Sequence, residues 1–408
     1  MSESGPSRWT RRQLTYCSNV HPGITLEQLF NVIEQHFSAV RSLRGLPSMG
    51  SGLWLSSAVA RRLREDASAF RQFQLLLQQQ GLHLFTLNGF PYGDFHQERV
   101  KEKVYQPDWS NPERYRYTLD LARILADAMP PDQLEGTIST LPLGYRPGWS
   151  EARQERALIN LCRIADELNR LKQQQGRSIR ICLEMEPGCV LEGTEQITEL
   201  FTVGLPAAAE RLGIPLQHLS NHLGVCYDIC HQAVMFEDPA ASLERLEGAG
   251  ITVGKIQISS ALELADPLAN DPQQLLQPFA EPRYLHQVRV RTEQGLVEAA
   301  DDLPAALGRE GLSRNGPWRI HFHVPVQAEM LSNGALRTTR TAILGLLDYL
   351  QSNPSLHPHL EVETYTWQVL PPESRPDSDT QLHSGLATEL GWLEAEMGQR
   401  GLLSDYLP

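Results

Sequence analysis

Short apolar runs separated by longer amphipathic stretches set the pattern of this chain. QLTYCSN, GLWLS (52–56), LHLFTLNGF (82–90), GTISTLPLG (136–144), IRICLEMEP, HLGVCYD and TVGKIQISS each read as a strand. Between them, hydrophobic residues recur at helical spacing over about 26–43, 57–78, 111–128, 150–174, 194–212 and 238–249. RIHFHVPV (319–326) and HLEVETYTW (359–367) also read as strands, with a helix over about 336–352 between them. Strand alternating with helix at this spacing predicts parallel βαβ units. About eight such units and one surplus strand favour an α/β fold of the (β/α)8 TIM-barrel type over an open sheet. No GxGxxG follows the first strand, which argues against a dinucleotide-binding fold.

A barrel core takes about 250 residues, and the chain has 408. The excess is therefore expected in insertions after the third strand (89–110) and after the seventh (260–317), and in a tail. Within the second insertion, YLHQVRVRTEQGLVEA reads as two strands around a Gly-containing turn, a β-hairpin lid. The expected organisation is a disordered lead-in over 1–11, a single barrel domain over 12–370, and a C-terminal tail over 371–408. In that tail, PPESRPDSD would be a flexible joint before a short helix.

Successive strand side chains alternate faces. Ile181, Leu183 and Met185 oppose Cys182, Glu184 and Glu186, and Val225 and Tyr227 oppose Gly224, Cys226 and Asp228. Ile256 and Ile258 oppose Lys255 and Gln257, and Leu360 and Val362 oppose Glu361 and Glu363. With the apolar faces on the helices, the polar faces must point into the barrel. So many ionisable groups inside are costly unless they pair or bind a cation. Two layers are expected: Glu186, Asp228, Gln257 and Glu363 at the rim, and Glu184, Lys255 and Glu361 below as a charge-compensated network.

The rim set, joined by His323, is the candidate metal site. Carboxylate and amide oxygens suit Mg²⁺ or Mn²⁺, and added imidazoles move the preference toward Mn²⁺, Fe²⁺ or Zn²⁺. The candidate catalytic groups are Glu186 and Glu363 as ligand-bases and His231 as acid or substrate ligand. The bland alternatives are a helix cap at Asp228, a first-turn surface position for His231, and an ordinary HxH strand at His321 and His323. Cys226 and Cys230 flank the motif and could make a thiolate site with His231.

The long loop NGFPYGDFH (88–96) follows the third strand and should hang over the same mouth. Asn88, Tyr92 and His96 are its candidate substrate-binding residues, joined by His21 after the first strand and by His321. Lys101 and Lys103 could neutralise an acidic ligand. The alternative is an Ω-like loop packed by Phe90 and Phe95.

A net charge of −13 and the lack of a dense basic stripe argue against nucleic-acid binding. The N-terminus has no apolar signal region, and no apolar run approaches the roughly 20 residues of a membrane span. The six cysteines show no disulfide-framework density and no CxxC pair, so a cytoplasmic location is expected.

Glu186, the DxxH of Asp228 and His231, Gln257 and Glu363 follow one another in an order that resembles the xylose-isomerase-like TIM-barrel superfamily. That superfamily includes sugar phosphate isomerases and epimerases and endonuclease IV-type enzymes. Within it, TYCSNVHPG, NGFPYGDFH, VYQPDW, STLPLGY, CHQAV and ETYTW resemble the EboE-type TIM-barrel proteins of the bacterial Ebo cluster. The superfamily resemblance implies a divalent metal and, in its isomerases, paired glutamates that move protons beside a metal-bound carbonyl. The EboE resemblance implies traffic in small secondary-metabolite precursors, with other Ebo-cluster proteins, a membrane partner among them, as partners. The sequence departs from the isomerase pattern at Gln257, where those enzymes usually supply a histidine. It also lacks the aspartate of a DxH pair at Arg319-Ile320-His321. Two functions follow as expectations: a metal-dependent isomerase, epimerase or lyase for a small polar metabolite, or a non-catalytic carrier of the same fold.

Overall fold

The computed structural model describes residues 9–292, 294–308, 311–331 and 334–405. Seven strands run in parallel: β1 (Thr15–Tyr16), β2 (Met49–Trp54), β3 (Leu82–Asn88), β4 (Glu135–Thr140), β5 (Ser178–Glu184), β6 (Leu223–Asp228) and β7 (Val253–Ile258). Six short strands then form a separate antiparallel sheet: β8 (Ala261–Leu264), β9 (Val288–Arg291), β10 (Val297–Ala300), β11 (Trp318–His323), β12 (Met330–Leu331) and β13 (Leu336–Thr338). The last strand, β14 (His359–Val362), returns to the barrel and lies parallel between β7 and β1. A single parallel bridge from Cys17 to Gly52 joins β1 to β2 and nearly closes the ring. The fold is a (β/α)8 barrel with an antiparallel sheet inserted between its seventh and eighth strands.

Closure depends on a glycine. A Cβ at Gly52 would lie 1.6 Å from a Glu361 carboxylate oxygen and 2.7 Å from the Tyr16 carbonyl oxygen. That carboxylate belongs to the lower interior layer, where Lys255 Nζ sits 2.6 Å from Glu361 Oε1 with both side chains fully buried. Burial pushes the Lys255 ammonium down, but Glu361 together with the nearby Cys226 and Cys17 outweighs it and holds the group above its ordinary value.

Three expectations about elements need correction. The run 319–326 is not a barrel strand: β11 pairs antiparallel with β8 and β9, so the inserted unit reaches Thr338 rather than stopping at 317. The helix expected over 57–78 is two, Ser57–Glu65 and Ala67–Gln79. Asp66 accepts hydrogen bonds from Ser68 N and Ala69 N and so restarts the second. The tail carries a 21-residue helix, Asp379–Gln399, whose Glu394 pairs with Arg44 at 2.5 Å and Arg11 at 2.6 Å.

The lead-in expected over 1–11 falls mostly on residues 1–8, outside the described residues. Trp9, however, is buried, donates from Nε1 to Pro358 O at 3.0 Å and bridges to Leu403. The expected hairpin forms between β9 and β10, with Val297 opposite Arg291 and Ala300 opposite Val288. Among the described residues no helix is long and apolar enough to cross a membrane. All six cysteines are free and buried.

Candidate functional site

At the carboxyl ends of the barrel strands lies a cavity of about 530 Å³, counting the space open to solvent. Its floor carries Glu184, Glu186, His231, His321, His323 and Glu363, and Asn19 and Asn88 stand beside Glu363. Two insertions roof it: the segment after β3 contributes Phe95, Lys101 and Tyr105, and the segment before β9 contributes Tyr284 and Leu285.

Ligand atoms of Glu184, Asp228 and Glu363 all lie within 4.8 Å of one another. Glu184 Oε2 and Asp228 Oδ2 are buried with no hydrogen-bond partner among the described residues. The other Asp228 oxygen accepts from His231 N at 2.9 Å and Ser259 Oγ at 2.8 Å, so Asp228 does cap the helix Ile229–Val234 with one oxygen and keeps the other. Glu363 Oε1 accepts from Asn19 Nδ2 at 2.6 Å and Asn88 Nδ2 at 3.2 Å. Burial, then the Asp228 and Glu361 charges, push the Glu363 carboxyl up to about 8. Burial and the Glu363 and Asp228 charges likewise hold Glu184 well above its ordinary value.

The histidines have fixed tautomers. His231 Nδ1 lies 2.9 Å from Met185 O and His323 Nδ1 lies 2.8 Å from Glu363 O. Carbonyl oxygens only accept, so both Nδ1 atoms carry the proton. For His321 the reasoning runs through three groups. Tyr105 donates its hydroxyl to the Glu186 carboxylate at 2.7 Å, so Gln287 Nε2 must donate to Tyr105 Oη, at 3.1 Å. Gln287 Oε1 is then the atom 2.6 Å from His321 Nδ1, which donates to it. An imidazole of this set that carries no second proton therefore has its free lone pair on Nε2.

Two of those lone pairs meet. His231 Nε2 and His321 Nε2 are 3.0 Å apart, a repulsive contact unless a proton or a cation lies between them. His323 Nε2 is buried with no partner among the described residues. Burial, followed by the neighbouring histidines, holds His321 well below its ordinary value, and burial brings His323 down to about 4. Both are thus neutral ligands at physiological pH. Ligand atoms of Glu186, His231 and His321 lie within 4.8 Å of one another, as do those of Asp228, His231 and His323. Imidazoles that donate Nδ1–H to an oxygen and keep Nε2 available have the outer-shell arrangement of metal-ligating histidines. The donor set fits a divalent cation.

The structure brings Glu186, Asp228, His231, His321, His323, Glu363 and Asn88 into one cluster, and it corrects their layering. Glu184 ends β5 and joins Asp228 and Glu363, rather than sitting with Lys255 and Glu361 below. Glu186 lies beyond the strand, where the backbone turns back, Glu186 N donating to Leu191 O at 3.2 Å. Strand alternation no longer governs it, and it faces Tyr105 and His321. Gln257 is level with Asp228 and Glu361 in the pairing register. It does not line the cavity, and its carboxamide has no hydrogen-bond partner among the described residues.

Of the loop candidates, His96 lies outside the cavity lining, and its Nε2 donates to Asn19 O at 2.9 Å. Only its donor tautomer satisfies that carbonyl. Tyr92 packs edge-on to Tyr117 and under Arg114, away from the cavity. His21 is buried against the helix layer, stacked on His36 at 4.0 Å. Lys101 does reach the cavity, but its Nζ is committed to Asp302 Oδ2 and Tyr284 O, each at 2.6 Å. Lys103 lines a separate surface depression. Cys230 Sγ approaches His321 and His323, yet burial holds its thiol well above the ordinary value, which disfavours a thiolate.

The sequence reading missed Asn19, Tyr105 and Gln287. Asn19 and Tyr105 lie inside the stretches TYCSNVHPG and VYQPDW, so the signal was present without a role attached. Gln287 follows only from the fold of the insertion.

No protein-family model and no curated protein matches the chain. Solved structures similar to it include a xylose isomerase domain protein from Planctomyces limnophilus, 13% identical with a TM-score of 0.47, aligned over 97% of this chain and 99% of that one. A D-tagatose 3-epimerase-like protein is 12% identical with a TM-score of 0.46, over 95% and 98% of the two chains. The IOLI protein, solved with a bound zinc atom, is 11% identical with a TM-score of 0.46, over the same shares. Likeness at this level does not carry chemistry from those proteins to this chain.

Proposed function

We propose that this chain is a divalent-metal-dependent barrel protein of the isomerase or epimerase type, acting on a small polar metabolite. The observation that carries the reading is that two close-set groups share Asp228: it lies with Glu184 and Glu363 in one and with His231 and His323 in the other, and Glu184 Oε2, Asp228 Oδ2 and His323 Nε2 are buried with no partner among the described residues. Glu184, Asp228, Glu363, His231 and His323 would hold the ion, and mixed oxygen and imidazole donors suit Mn²⁺, Fe²⁺ or Zn²⁺. Bound there, such an ion supplies Lewis-acid polarisation of a substrate carbonyl or hydroxyl. Glu184 and Glu363 face the same space from different strands, so one carboxylate can take a carbon-bound proton while the other carboxyl returns one. Asn19 and Asn88 hold Glu363 in place. The roof of the two insertions limits water's access to the intermediate.

A second reading has one observation in its favour. Gln257 stands where the resembled isomerases usually supply a histidine, and its amide is buried without a partner. A barrel that holds a metabolite of the EboE type and passes it on without turnover fits that departure. Metal analysis of the purified protein tests the site: about one ion per chain, lost in Glu184→Gln and Glu363→Gln, is expected, and full metal in both variants rules the site out. Incubation of the metal-loaded protein with small ketoses and hydroxy ketones in D2O separates the readings. Deuterium incorporation next to the carbonyl supports the enzyme, and tight binding with no incorporation supports the carrier.

A further inference from the structure

We infer that the ligand is an unphosphorylated molecule with a hydroxy-carbonyl head and an apolar, aromatic-sized tail. This rests on the metal-site reading above and names the substrate class for it. The cavity is two-sided. Its floor is the carboxylate and imidazole cluster. Its roof and one wall are mainly apolar, built from Phe95, Val100, Val104, Tyr284, Leu285 and Tyr365, with the Tyr284 hydroxyl buried there and without a partner among the described residues.

The aromatic members form a cage of their own. Phe95, Val100, Tyr284 and Tyr365 belong with Trp54 to a hydrophobic cluster separate from the main core. Ring centroids lie 4.7 Å apart for Phe95 and Tyr284, 5.4 Å for Phe95 and Tyr365, and 5.0 Å for Tyr284 and Tyr365. Tyr365 also sits 4.6 Å from His323, which places the cage directly beside the ligating groups. A polyol with hydroxyls along its whole length could pair one with the Tyr284 hydroxyl and would leave the others unpaired against these rings. An alkyl or aromatic tail would be buried favourably there.

Phosphate is disfavoured by charge. No arginine lines the cavity among the described residues, and the lining lysine is Lys101. Lys101 is already held by Asp302 and by the Tyr284 carbonyl. Glu184, Glu186 and Glu363 would face a dianion with no free cationic side chain to meet it.

Three hydroxy ketones with the same head test this: dihydroxyacetone, dihydroxyacetone phosphate and 2-hydroxyacetophenone, titrated calorimetrically into Mn²⁺-loaded protein of measured metal content. The expected result is binding of 2-hydroxyacetophenone at least about tenfold tighter than dihydroxyacetone, and no gain from the phosphate. Phe95→Ala and Leu285→Ser should each erase most of the aromatic preference while metal content stays full. With full metal content, tightest binding of the phosphate, equal binding of all three, or no binding of the aromatic ketone overturns this inference and leaves the metal site standing. Failure to retain metal overturns both.

Discussion

His323 decides how far the metal site can be read at the level of single residues. Its Nδ1 proton is committed to the Glu363 carbonyl, which leaves a buried Nε2 with no partner among the described residues. His323→Ala should lower metal affinity by at least the roughly 10–100-fold that loss of an outer-shell partner costs, measured by competition with a chelating dye. An unchanged affinity would remove His323 from the ligand set. Glu184 and Glu186 make a sharper pair. Alternation along IRICLEMEP singles out the correct face, but it places Glu186 at the rim because it takes the strand to continue past Glu184. The strand stops at Glu184, so Glu184→Gln should cost more metal affinity than Glu186→Gln. The reverse order of losses would restore the reading drawn from sequence. Tyr105→Phe, which removes the hydroxyl donated to Glu186, should leave metal content intact. What the sequence could not show at this scale is tautomer and orphaned atoms, since both depend on partners from distant segments such as Gln287.

The elements were legible as strands and helices, and their partners were not. Strands of the barrel and the long helices carry enough periodic residues to declare themselves. β11 is as long as several barrel strands and reads as a strand equally well, but its antiparallel partners β8 and β9 are not visible in periodicity, so it was counted with the barrel although it bears both cavity histidines. Its pairing shifts register between Ile320 and His323, and the two histidines line the cavity while Ile320 and Phe322 stay in the core. The two insertions are latched together by Lys101. Its ammonium meets Asp302 and the Tyr284 carbonyl, and Val100 N and Lys101 N both donate to Arg283 O, at 2.8 and 2.9 Å. Lys101→Met should therefore loosen the roof, with a cost of about 2–3 kcal/mol because Asp302 is left mostly buried without its partner. Hydrogen exchange should accelerate over 96–106 and 281–287 while the barrel strands stay protected. Unchanged exchange in both segments would show that the roof is held by its aromatic packing instead.

For the whole molecule, the consequence is a barrel that folds around a concentration of negative charge. The lower layer neutralises itself through Lys255 and Glu361. Among the described residues the upper layer's cavity-lining lysine, Lys101, is already held by Asp302 and the Tyr284 carbonyl, so either protons or a cation must neutralise that layer. Without metal, Glu363 titrates at about 8 in the folded chain against about 4.3 unfolded. Between those values the native state binds more protons than the unfolded state, so stability falls as pH rises across that window. The full shift corresponds to a few kcal/mol, on the order of 5 at most, with Glu184 acting in the same direction. A bound cation holds the carboxylates ionised in the native state and removes that slope. Chelator-treated protein should therefore lose urea stability steadily from pH 5 to pH 8. Metal-loaded protein should stay level or gain, and the two curves should separate most at pH 8. In chelator-treated Glu363→Gln the decline should be smaller than in the parent chain. Parallel curves for loaded and chelated protein would mean that the upper layer is neutralised by protons alone, and the cation would have no place in the fold.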